Sequence, residues 1–156
     1  MNNKELINRF YMAFASEDAE AMAGCYADVA VFDDPAFGRL NNGRVRNMWR
    51  MLIKNSGGNL KITHSDVWAD DWKGGAKWVA EYTFSKTGRK VVNRIDAQFE
   101  FKDGKIIHHV DHFDFWKWSR QALGLVGLLL GWTLFLQNKV RQQALASLNR
   151  FEQGGN

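Results

Sequence analysis

The chain is predicted to fold as a single α+β domain, on two observations. Apolar residues recur at helical spacing through its first third, and from Asn59 onward they alternate in long stretches separated by turn residues. An uncharged, glycine-punctuated segment after the last such stretch adds a C-terminal helix to this plan.

The helices come first. Leu6, Ile7, Phe10, Tyr11 and Phe14 share one helical face and define a first helix ending near Ser16. Asp18 is placed to cap a short second helix with Met22, Cys25 and Tyr26 on one side. A brief β-prone stretch, Val29 to Phe32, is closed by Asp33, Asp34 and the only proline, Pro35, which restricts Asp34 to extended geometry. Residues 36–42 read as a loop. A third helix over residues 45–54 carries Val45, Met48, Trp49, Leu52 and Ile53 inward and Arg44, Arg46, Arg50 and Lys54 outward, until Ser56-Gly57-Gly58 breaks it.

Four strands are expected at residues 60–70, 76–86, 90–102 and 105–116, joined at Lys73-Gly74-Gly75, Thr87-Gly88 and Asp103-Gly104. Asp103-Gly104 suits the two positive φ angles of a type I′ hairpin turn. Residues 122–136 hold fifteen residues without a charge, fewer than the roughly 18–20 that cross a bilayer. Their stripe continues through Val140, Ala144, Leu148 and Phe151, which predicts one long helix serving as a lid, a subunit contact or a membrane-surface element. The division is therefore a domain over residues 1–118 and a helical extension over 119–156 packed on it.

Composition narrows the function classes. Eleven Phe and seven Trp suit a protein that fills a core and lines a cavity. One cysteine, Cys25, cannot form an internal disulfide, and the start MNNKEL lacks a signal-peptide pattern, so a cytoplasmic setting is expected. The net charge of +4 raises nucleic-acid binding, but the densest basic patch is the solvated face of the third helix, and no nucleic-acid partner is expected. His108, His109, Asp111, His112 and Asp114 crowd one segment, yet alternation sends His109 and Asp111 one way and the other three the opposite way. No metal is expected there, and no cofactor-binding motif is present.

The stretch from Tyr26 to Pro35, preceded by two helices and followed by a third, resembles the ketosteroid isomerases and their SnoaL-like relatives. Arg94-Ile95-Asp96 within a strand and His109-Val110-Asp111-His112-Phe113-Asp114 in the last one resemble limonene-epoxide-hydrolase-type members of the same superfamily. The resemblance implies a strongly curved, mostly antiparallel sheet forming a cone-shaped pocket for a small hydrophobic molecule, in a protein that commonly forms homodimers. By the isomerase pattern Asp34 is the base and Asp96 the acid, while Phe10 stands where a tyrosine donor belongs. By the hydrolase pattern Asp111, Arg94 and Asp96 form an Asp-Arg-Asp site. Phe10, Phe32, Trp49, His109 and Phe113 are the expected ligand-binding residues. Read without the family, Arg94, Asp96, Gln98 and Glu100 are simply the wet face of a strand whose other face is Ile95, Ala97, Phe99 and Phe101. Two function classes follow: acid-base catalysis of the isomerase, cyclase or epoxide hydrolase type, or binding of an apolar ligand without reaction.

Overall fold

Asn2 opens the first helix, α1 (Asn3–Ala15), through a capping box in which its side chain accepts from the Glu5 N–H and the Glu5 carboxylate accepts from the Asn2 N–H. The computed structural model describes residues 1–154. Asp18 caps α2 (Ala19–Ala23) by accepting from the Ala21 N–H. The strand β1 (Tyr26–Asp34) follows at once, so Tyr26 starts a strand and does not complete the second helix. Residues 36–42 are not all loop: β2 (Gly38–Asn41) turns back to pair with β1, with Phe32 opposite Leu40. The third helix, α3 (Gly43–Ser56), buries Val45, Met48, Trp49 and Met51.

The four later strands are β3 (Leu60–Ala69), β4 (Lys73–Phe84), β5 (Arg89–Lys102) and β6 (Lys105–His112). The sheet order is β2-β1-β6-β5-β4-β3, antiparallel throughout except where β1 runs parallel to β6. Asp103 and Gly104 have φ of 52° and 73°, as a type I′ turn requires. Register shifts between Ser65 and Trp68, and between Glu100 and Phe101, bend the strands and curl the sheet. Its concave face holds α1 against β3 and β4, and α3 against β1, around a core rich in Phe, Tyr and Trp. The α+β class and the curved, mostly antiparallel sheet are thus as the sequence predicts.

The last strand is shorter than its alternation suggests, because Asp114 accepts from the Lys117 N–H and starts α4 (Phe115–Leu123). The long C-terminal helix is α6 (Leu134–Glu152), capped by Thr133. The segment before it is not one piece with it. Gly124, at φ 64°, separates α4 from α5 (Leu125–Leu130), and Gly131 ends α5. The left-handed turn at Gly124 and the extended backbone of Thr133 are where a continuous stripe in the sequence becomes three helices.

The arginines on the outer side of α3 have partners. Arg46 pairs with Asp28 at 2.9 Å, Arg50 with Glu20 at 2.8 Å, and Arg44 reaches Glu152 of α6 at 3.0 Å. The last pair, with the Asn47–Glu152 and Arg44–Asn149 hydrogen bonds, ties α6 to α3.

Candidate functional site

Inside the curl lies a cavity of about 650 Å³. Met48 and Trp49 of α3, Trp78 and Tyr82 of β4, Asn93 and Ile95 of β5, and Asp111 of β6 form its floor and walls, and Asp34 and Phe37 stand at one side. Its roof comes from the C-terminal helices. Leu136, Val140, Gln143, Ala144 and Ser147 fall at spacings of one, three and four, so α6 presents one stripe to the space below.

Beneath this cavity runs a chain of hydrogen bonds whose direction can be deduced. The Trp49 indole, which can only donate, gives its N–H to the Tyr26 oxygen at 2.9 Å. The Tyr26 hydroxyl proton is then left for His109 Nδ1, 2.7 Å away. With Nδ1 accepting, Nε2 carries the hydrogen and donates to Asp111 Oδ1 at 2.8 Å. Trp78 Nε1 donates to that same oxygen at 3.3 Å. Asp111 is therefore held as an acceptor, and its Oδ2 has no protein donor among the described residues. Burial, reinforced by the Asp111 charge, pushes the Tyr26 phenol well above its ordinary pKa, so it stays protonated and keeps donating.

Asp34 has a different environment. Burial at the cavity wall raises its pKa to about 7, against the pull of the Phe37 N–H, which donates to Oδ1 at 2.6 Å; the negative charge of Asp111 raises it further. A carboxyl poised near neutrality beside an apolar cavity can both take and return a proton. Tyr82 is the other polar group of note. Trp118 donates its indole N–H to the Tyr82 oxygen at 2.7 Å, which leaves the phenol hydrogen free to donate to something in the cavity.

Of the residues expected in one site, Asp34 and Asp111 do line the cavity, and so do Trp49 and Phe113. Arg94 and Asp96 do not. Every even-numbered residue of β5 from Lys90 to Lys102 is exposed and every odd one from Val91 to Phe101 is buried. Asp111 sits opposite Ala97, whereas Asp96 sits opposite His112 on the outer face. The Asp-Arg-Asp arrangement is consequently not formed, and the isomerase acid is missing from position 96. Pleating sends the pair outward, as the wet-face reading has it.

Phe10, Phe32 and His109 lie one layer behind the cavity wall. Phe10 is wholly buried among Tyr11, Phe14, Tyr26, Trp49, Phe99 and His109, with ring centroids 5.1–6.5 Å apart. Phe32 packs edge-on to Trp49 and His109. Tyr11 does not take over the missing donor role at the cavity, since its ring is buried and stacks on His64. His108, on the outer face, bridges Asp33 and Glu100 at 2.8 and 2.9 Å.

Four residues of the site escape the sequence reading: Tyr26, Trp78, Tyr82 and Asn93. Only Asn93 had a local signal, as the one polar residue among the odd-numbered positions from 91 to 101. The others depend on hydrogen bonds spanning between 23 and 83 residues.

Solved structures with the same fold include a candidate polyketide cyclase from Pseudomonas putida, 19% identical with a TM-score of 0.63, the match covering 78% of this chain and 98% of that one. Bal32a, from a soil-derived mobile gene cassette, is 23% identical with a TM-score of 0.62, covering 76% and 95%. TerC, crystallised with polyporic acid, is 15% identical with a TM-score of 0.59, covering 70% and 89%. No curated protein sequence matches the chain. The family model of the SnoaL-like domain matches residues 7–109, which include most of α1, all of α2 and α3 and five of the six strands completely, and the chain belongs to that family.

Proposed function

We propose that this protein binds a small, largely apolar carbonyl compound in the cavity and moves a proton on it, as an isomerase or a cyclase does. The observation that carries this reading is the Asp34 carboxyl, raised to about 7 by burial at the cavity wall. As a carboxylate it takes a proton from the carbon beside the substrate carbonyl. The electron pair moves onto the carbonyl oxygen as an enolate, to which the Tyr82 phenol donates a hydrogen bond. Asp34 then returns the proton to another carbon, giving an isomer, or the enolate carbon attacks a second carbonyl and closes a ring, the resulting alkoxide taking the proton back from Asp34 as a hydroxyl. Asp111, fixed as an acceptor by Trp78 and His109, orients a substrate hydroxyl through its Oδ2. The names of the candidate cyclase and of the TerC complex accord with a ligand of this kind.

The test is hydrogen exchange into deuterated water, followed by NMR, for a panel of small cyclic ketones and diketones. Exchange should rise with pH through about 7, and Asp34→Asn should slow it by about 100-fold or more while an apolar fluorescent dye still binds. Undiminished exchange in the variant overturns the proposal. A second reading, binding without reaction, is favoured by Phe10, which leaves α1 without a hydroxyl at the cavity. Dye binding together with no exchange in any ketone selects it.

A further inference from the structure

The segment that roofs the cavity also presents an apolar surface outward. Leu125, Leu129, Trp132, Leu134 and Phe135 are each between 59% and 75% exposed, far more than large apolar side chains in adjoining positions ordinarily are. This surface is built rather than frayed. A Cβ at Gly127 would overlap the Ser119 carbonyl, one at Gly131 would overlap the Ser119 hydroxyl, and Trp116 Nε1 donates to the Leu128 carbonyl at 3.2 Å. The glycines thus let α5 sit directly on α4, holding its leucines up to solvent.

The charge along the chain segment that carries this surface has one sign. Residues 115–151 contain Lys117, Arg120, Lys139, Arg141 and Arg150 and no acidic residue. From the β4–β5 turn, Arg89 donates to the Gln121 carbonyl and lies against Gly124, and Lys86 reaches Gln143. Unlike the arginines of α3, Lys86, Arg89, Lys117, Arg120 and Lys139 make no ion pair among the described residues. Arg120 instead stacks 4.1 Å above the Trp116 ring.

We propose that α5, the Gly131–Phe135 segment after it and this basic rim dock the protein on the surface of an anionic lipid bilayer. Exposed leucines with Trp132 and Phe135 enter the acyl boundary, while the lysines and arginines meet the headgroup charge. The six residues of α5 cannot cross a bilayer, and no described helix is long and apolar enough to do so. The protein lies on the surface. A second copy is the poorer occupant, because a twofold contact would set the same unpaired basic rim against itself. Since Val126, Leu130 and Phe135 also line the cavity, the docked face is the one that leads into it.

The experiment is sedimentation of the full chain with phosphatidylcholine vesicles, with and without phosphatidylglycerol. Binding should require the anionic lipid and weaken roughly 10-fold on going from low to high salt. Leu129→Asp with Trp132→Asp, neither of which lines the cavity, should reduce binding about 100-fold without changing the melting temperature or dye binding. Lys117→Glu should weaken it several-fold. Equal binding to both vesicle types, or no binding by the native chain, overturns the proposal. Dimers that the double variant dissociates, without vesicle binding, overturn it in favour of a second copy.

Discussion

Asp34 ties stability to chemistry through one proton. In the unfolded chain its carboxyl ionises near 3.8, and in the folded protein near 7. Between those values the folded state holds a proton that the unfolded state has lost, so stability falls as pH rises from about 4 to about 7 and then levels. Asp34→Asn should flatten that part of the profile, which urea unfolding at several pH values would read. Tyr26 carries a different burden. Tyr26→Phe leaves both Trp49 Nε1 and His109 Nδ1 buried without their partner, and should cost about 2–4 kcal/mol. A loss below about 0.5 kcal/mol would mean that the chain of bonds is not formed. Arg94→Ala and Asp96→Asn should each change stability by no more than about 0.5 kcal/mol and leave ketone exchange unchanged, because both side chains are on the outer face. Alternation along β5 was enough to place them there; the transferred family roles pulled them inward against it. Tyr82 was illegible for another reason, since what makes it a donor is an indole 36 residues away.

Secondary-structure elements show the same division between local and distant causes. The α1 stripe, the Asp18 cap and the Asp103-Gly104 turn are settled by neighbours a few residues apart, and each is legible. The four residues of β2 are not, because a strand so short exists only through its pairing with β1. Gly124, Gly127 and Gly131 could be read as weakening a helix, but not as cutting it, until the approach of α5 to Ser119 is seen. Gly127→Ala should therefore destabilise the protein by about 1–3 kcal/mol, roughly 2–12 °C in Tm. Gly43→Ala, at the start of α3 with open space around it, should be neutral or stabilise by about 0.4–1 kcal/mol. Thermal melts of the two variants make the comparison. Equal effects would remove the case for close packing between α4 and α5.

At the scale of the whole molecule, the order of helices and strands carried the fold, since amphipathic stripes and turn residues are repeated signals that a single misread residue cannot undo. The cavity contents were only half legible, because they depend on which strand face turns inward and on what the tail covers. That covering is lightly held. Of the nineteen residues in α6 only Leu136 and Leu148 are buried, and its polar ties to the rest of the protein run to α3, to Pro35 and to Lys86. The sheet beneath has no such dependence: β5 buries every second residue and is paired along its length. A helix so loosely anchored can open while the sheet stays intact, so its amides should trade hydrogen with solvent long before those of β5. On the proposed function, the time a guest spends inside is then set by the lifetime of α6 in its closed position, and a guest that touches its stripe lengthens its own stay.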